Sequence, residues 1–322
     1  MALAYEFSIG SVRAREKHFL SSSDLEQMLV MDEASLIAFL KDKGYGEGAS
    51  VEEILEDHTA KMWKYIRTVA PDFDVFLPFF LQNDIHNLKT ILKGVLNEKD
   101  YRALLLSPCT IDYKTMVKAV EEKRFFLLPP WLEKAAQEAY KMLAQTKDAR
   151  FSDAFIDRAV MEQMLMEGKR TDSSLLREYL NALVFYTNVK IALRASAAKA
   201  SRNYMETALC TCDGFEKSTV IAKAMADEKG LRKYLEKLSA FDCFRAMACY
   251  ERSPSEFEKF VDNYLLLQAK RFGRYSSEGA DPLFGYYIGC EYEKKALLII
   301  ASGVRTRISP EIIRERLRET YG

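Results

Sequence analysis

No phosphate-cradling glycine loop, no Gly-x-Ser-x-Gly elbow and no His-Glu-x-x-His helix occurs in this sequence. Nucleotide cradling, serine-type acyl transfer and zinc hydrolysis therefore have no motif to rest on. Net charge is missing as well: 47 basic and 47 acidic residues cancel, which argues against the strongly basic surface of a nucleic-acid binder. The 6 cysteines are scattered, only Cys210 and Cys212 lie close together, and His18, His58 and His86 are the only histidines. Those spacings match no metal-ligand pattern, so no metal or cofactor is expected and the thiols are expected to be free. Long apolar runs are absent too. The longest, 76–81 (with Pro78 inside) and 296–301, fall far short of the roughly 18 residues a spanning helix needs. Met1-Ala-Leu-Ala-Tyr-Glu6 carries no basic leader before an apolar block, so a cytoplasmic protein is expected, reaching a membrane only through a partner. No Asn-Gly or Asp-Gly turn links two alternating β-branched runs, which leaves an all-α fold.

Helix signals run from end to end. Ser50-Val-Glu-Glu53 has the form of a capping box and opens an amphipathic segment towards Val69, closed by Pro71. Ser21-Ser-Ser23-Asp24 precedes Leu25, Met28 and Leu29; Pro129-Pro130 precedes a helix over 131–143; Ser309-Pro310-Glu311 precedes Ile312, Ile313 and Leu317. The 14 glycines and 8 prolines fall mostly between such segments, as in Gly44-Tyr-Gly46-Glu-Gly48 and Ser276-Ser-Glu-Gly279, which read as loops.

The segment Asp84-Ile-His-Asn87-Leu-Lys89-Thr-Ile-Leu-Lys93-Gly94 recurs in weakened form about a hundred residues later, and again about a hundred beyond that. An apolar triplet survives: Leu88/Ile91/Leu92, Val189/Ala192/Leu193 and Leu297/Ile300/Ala301. Its i, i+3, i+4 spacing places each triplet on one buried face of a helix. A small residue follows every time, Gly94, Ala195 and Gly303, suited to a helix end or a close backbone approach. The first offset also relates Thr110-Ile-Asp112 to Thr211-Cys-Asp213. These observations predict three similar helical modules in pseudo-threefold assembly, over 1–107, 108–208 and 209–322, the last carrying a C-terminal helix. No low-complexity linker separates them, so one rigid body is expected.

The most enzyme-like group is Asp84 with His86, joined by Glu291 and Glu293, which could do acid/base work if buried. Residues two apart, however, point to different sides of a helix. Lys89 and Lys93 share a face, and the repeat puts Lys190 and Arg194 at the equivalent positions, whereas the third copy has Leu298 and Ser302. These four basic residues are the candidate partner-binding residues. They read either as a solvated face or as part of an asymmetric socket for an asymmetric acidic or mixed-charge partner. Phe73, Phe76, Phe79, Phe80, Phe185, Tyr186, Phe284, Tyr286 and Tyr287 lie just upstream of the repeated segment and are expected in the core.

In order along the chain, the Tyr5-to-Arg15 block with Phe19-Leu20-Ser21, Leu40-x-x-x-Gly44-Tyr45-Gly46, Asp84-Ile-His-Asn87-Leu-Lys89 and Asn188-Val-Lys190-x-x-x-Arg194 resemble a known family. Asp281-Pro282-Leu-x-x-Tyr286-Tyr287, Glu291-x-Glu293 and Ile308-Ser-Pro310-Glu-x-Ile313-Arg314-x-Arg316-Leu317 complete the likeness. The family is the C subunit of bacterial and archaeal V/A-type rotary ATPases, related to the d subunit of the eukaryotic V-ATPase. The resemblance implies a funnel-shaped, all-helical, pseudo-threefold, non-catalytic component of the central stalk. It would join the soluble rotor axle, a coiled coil with a small companion, to the membrane proteolipid ring, for ATP-driven ion transport or ATP synthesis. Such a protein would sit peripherally at the cytoplasmic face of the membrane, touching it only through the ring. Ala296 and Leu298 stand where the family motif leads one to expect Asn and Arg. A generic helical scaffold or adaptor is the alternative from a different class.

Overall fold

The computed structural model describes residues 5–276 and 278–322. Residues 1–4 and Ser277 lie outside them, and with them most of the N-terminal segment searched for a leader and part of the 276–279 loop. Among the described residues there are sixteen α-helices, a few 3-10 turns and no strand, so the all-α expectation holds. In chain order the helices are α1 (Glu6–Glu16), α2 (Ser22–Met28), α3 (Glu33–Asp42), α4 (Val51–Val69), α5 (Leu77–Asn97), α6 (Tyr113–Glu121), α7 (Pro130–Thr146) and α8 (Ala149–Arg170). They continue as α9 (Ser174–Ala197), α10 (Arg202–Ala208), α11 (Lys217–Ala226), α12 (Glu228–Leu235), α13 (Cys243–Arg252), α14 (Pro254–Tyr275), α15 (Asp281–Arg305) and α16 (Pro310–Arg316).

Their starts are set locally. The Ser21 hydroxyl accepts the Asp24 amide at 3.2 Å while the Asp24 carboxylate accepts the Ser21 amide at 2.9 Å, a complete capping box at α2. At α4 the Ser50 hydroxyl accepts the Glu53 amide, but the Glu53 carboxylate reaches one residue further back, to the Ala49 amide at 2.7 Å. Pro130 and Pro310 begin α7 and α16, where a missing amide hydrogen costs no helical bond.

The chain forms two compact units, one from Met1–Phe73 with Ala248–Gly322 and the other from Asp74–Met247. In the first, α15 packs against α1, α3, α4, α14 and α16. N-terminal Leu36, Leu40 and Ile54 thereby share a core with C-terminal Leu297, Ile300 and Ile313. In the second, α5 packs against α6, α7 and α8, joining Leu88, Ile91 and Leu92 to Met116, Leu132 and Ile156. All nine triplet residues are 3% exposed or less, so each repeated segment is the core-facing helix its spacing indicates. Fully burying one such Leu or Ile side chain is worth about 1.5–3 kcal/mol. Phe76, Phe79, Phe80, Phe185, Tyr186, Phe284 and Tyr286 are buried too, while Phe73 and Tyr287 are partly so.

The small residue after each triplet serves both purposes open to it. The carbonyls of Gly94, Ala195 and Gly303 accept the amides of Lys99, Ala200 and Ile308 at 3.0, 2.8 and 3.0 Å. Glu98, Lys199 and Arg307, just before those amides, sit in the left-handed region at φ 53, 50 and 55°. The three core helices therefore end in the same six-to-one closure, in which the left-handed residue would most easily be glycine. Close approach is also present: a Cβ on Gly94 would overlap the Tyr101 ring, and one on Gly303 would fall 2.5 Å from Ile313 Cδ1. Replacing exposed Lys199 by glycine is expected to raise stability by about 0.5–1 kcal/mol, since it removes left-handed strain without losing a contact in the core. Urea titration of the two proteins checks this, and an unchanged or lower midpoint would count against the strain.

Candidate functional site

The polar side chains of the repeated helices are engaged within the fold. On α5, Asp84 is fully buried, and its carboxylate accepts the Thr110 and Ile111 amides at 2.9 and 3.2 Å as well as the Thr110 hydroxyl. Asn87 forms a two-way bond with Leu106: its amide nitrogen donates to the carbonyl at 2.9 Å, and its side-chain oxygen accepts the amide at 2.7 Å. Asn83 donates to the Pro108 carbonyl at 2.6 Å, and exposed His86 holds Nε2 2.9 Å from the Leu104 carbonyl. Four side chains of one helix thus lash the loop 104–111 along it and satisfy backbone groups that would otherwise need water. Burial pushes the Asp84 carboxyl up, and the three bonds from Thr110 and Ile111 pull it back. With these oxygens committed to the loop, Asp84 is a fastening rather than a free acid or base.

The second repeat is built alike. Fully buried Asn188 on α9 donates to the Cys210 carbonyl at 2.7 Å and accepts the Cys210 amide at 2.9 Å, the same exchange that Asn87 makes with Leu106. Asn181 adds a bond from the Asp213 amide at 3.1 Å. In the third, Ala296 replaces the asparagine, and Glu293, one turn earlier, takes over at the register of Asp84. Its carboxylate is 7% exposed and accepts the Leu20 amide at 2.6 Å, fixing the corner between α1 and α2. Burial pushes this carboxyl up to about 7, against the pull of the neighbouring Tyr45 hydroxyl and the Leu20 amide. The correspondence of Asp84 and Glu293 escapes a comparison of letters, because the two side chains differ in length and the second repeat has Phe185 there.

Lys89 and Lys93 stand on one face of α5, as their spacing indicates. Both reach α8: Lys89 pairs with Asp157, and Lys93 donates to Asp153 at 2.8 Å. Lys190 on α9 is partly buried and Arg194 exposed. Leu298 and Ser302 on α15 are exposed and line a cleft against α16. Glu291 is partly buried, and its carboxyl is pushed up by burial with Lys294 and Lys295 drawing it down. The six cysteines are free thiols; burial pushes Cys210, Cys212 and Cys243 up to about 12, far from a reactive thiolate. No helix among the described residues is long and apolar enough to cross a membrane.

A family model described as ATP synthase (C/AC39) subunit matches residues 8–316. The chain belongs to that family. Within the C/AC39 family it is similar to the C subunit of the A-type ATP synthase of Methanocaldococcus jannaschii, at 25% identity over 97% of this chain and 86% of the relative. It is also similar to the C subunit of the V-type sodium ATPase of Enterococcus hirae, at 21% identity over 96% of this chain and 97% of the relative. A third relative, the C subunit of the A-type ATP synthase of Haloferax volcanii, is 21% identical over 97% of both chains.

Proposed function

We propose that this chain is the non-catalytic central-stalk piece of a V/A-type rotary ATPase, joining the soluble axle to the proteolipid ring for ATP-driven ion transport or ATP synthesis. The match of nearly the whole chain to relatives that are C subunits of such machines carries the reading. The geometry supports it, because the residues that looked most chemical, Asp84 and Glu293, each hold a backbone segment against a core helix. Close-packed helices transmit strain with little compliance, which suits a torque-bearing part. Its three repeated helices are the cores of three modules, and its place is peripheral, at the cytoplasmic face, touching the membrane through the ring.

The four basic residues enter this reading as candidate axle contacts. Reversing Lys89 or Lys93 would also break their links to α8, so the charge reversal is made at the second pair, Lys190 and Arg194, with its thermal midpoint taken beside it to report intact folding. The test is reconstitution of the complex in vesicles with and without this chain. Omission is expected to leave ATP hydrolysis by the soluble part intact while ATP-driven ion uptake falls to background. Undiminished uptake would remove the coupling role. In the complete assembly, Lys190→Glu with Arg194→Glu is expected to weaken axle attachment more at low salt than at high salt.

A further inference from the structure

The face of α5 that carries Lys89 and Lys93 is covered by a helix of this same chain, α8, whose Asp157 and Asp153 take the two ammonium groups. At the equivalent register of α15 stand Leu298 and Ser302, and Leu298 is 37% exposed. Seven-residue α16 flanks this face and leaves a cleft of about 280 Å³. Leu298, Ile299, Ile308 and Ile313 wall it, and Lys295 and Arg316 stand at its rim. Lys295 already shares Asp262 at 2.8 Å, whereas the exposed Arg316 guanidinium has no ion pair among the described residues.

Three observations define the occupant. The equivalent face in the first repeat takes a helix, so a helix fits this one. The walls are apolar and the rim is cationic, which asks for an apolar side chain flanked by carboxylates. The volume lies just under the roughly 300 Å³ at which small-molecule pockets begin, enough for one or two side chains. Under the coupling role proposed above, the helical partner available to such a groove is the axle, a coiled coil.

We infer that the α15–α16 cleft seats a helix of the axle, an apolar side chain resting on Leu298 and acidic side chains meeting Arg316 and Lys295. The inference rests on the coupling role proposed above. Its test is titration of the full chain with the purified axle heterodimer, using the natural protein, Leu298→Asp and Arg316→Glu. Both replaced side chains are exposed, so thermal midpoints should match the natural protein and report intact folding. Leu298→Asp is expected to weaken binding by about tenfold or more, as for a central apolar contact given a repelling charge. Arg316→Glu is expected to weaken it at low salt and much less at high salt. If the natural chain binds the axle and both folded variants bind as tightly, the cleft is not the seat and the coupling role stands. If the natural chain does not bind the axle at all, both are overturned.

Discussion

Replacing Tyr321 by alanine is expected to lower the stability of the unit built from the two chain ends by about 3–5 kcal/mol, the range for deleting a buried aromatic side chain. Tyr321 is 2% exposed and lies over the place where α14 and α15 come closest. A Cβ on Gly285 would lie 2.6 Å from the Tyr321 hydroxyl and 2.7 Å from the Gly273 Cα; one on Gly289 would lie 2.7 Å from the Tyr321 ring. Glycines here let the helices touch, and one tyrosine fills the dip they leave. Its hydroxyl donates to Glu16 at 3.1 Å, and its ring centroid is 5.1 Å from that of Phe19, so it also ties down α1 and the segment after it. Tyr321→Phe keeps the ring and is expected to cost only about 1 kcal/mol for the lost hydrogen bond. Denaturant titrations in a Trp131→Phe background, where Trp63 is the remaining tryptophan, separate the two variants by fluorescence. A loss below about 1 kcal/mol for Tyr321→Ala would show that the surrounding helices hold without this anchor.

Glu293→Gln is expected to change the pH profile of that unit. The Glu293 carboxyl goes from 4.5 to about 7 on folding, so between those values the folded state holds a proton that the unfolded state has lost. Stability therefore falls as pH rises through this window and levels off above it. His58 acts in the opposite sense: partly buried and stacked on Tyr45 with ring centroids 4.6 Å apart, it is held down by desolvation from 6.5 to about 4. Its contribution rises with pH until the unfolded imidazole has lost its proton. In the natural protein the two slopes oppose each other below pH 6.5, and above it the loss due to Glu293 continues after the gain from His58 has ended. In Glu293→Gln the fall that Glu293 contributes should be absent, so the profile should rise more steeply towards pH 6.5 and fall less above it than that of the natural protein. A shift of this size corresponds to about 3 kcal/mol, so at pH 8 the variant should gain up to that amount, less what the altered bond to Leu20 costs. Denaturation at pH 5 and pH 8 measures the difference, and parallel profiles for the two proteins would show that Glu293 is not the group responsible.

The helices were legible in the sequence because their information is local. The triplets recur at i, i+3, i+4, and serines or prolines stand where helices begin. The small residue after each triplet was legible as well, although the left-handed Glu98, Lys199 and Arg307 that complete the closures were not, since none is glycine. Side-chain partners across helices were the hidden part. Nothing near Lys89 in the sequence announces Asp157, because a salt bridge between α5 and α8 has no local period. Asp84 and His86 stood out as the most enzyme-like group for a similar reason: their shared job becomes visible only when the loop 104–111 is folded back along α5. Lys89 and Lys93 do share a face of α5, but that both join it to α8 could be seen only in three dimensions.

The shared core of the two chain ends bears on how the molecule is made. Leu36, Leu40 and Ile54 are translated before the unit Asp74–Met247, while Leu297, Ile300 and Ile313, against which they pack, are translated after it. The uninterrupted unit Asp74–Met247 can close during synthesis, but the helices made before it must wait with their apolar faces open. While residues 74–247 are being made, the chain therefore carries one unfinished part of the other unit, exposed to aggregation and to chaperones, until the helices beyond Met247 arrive to complete it.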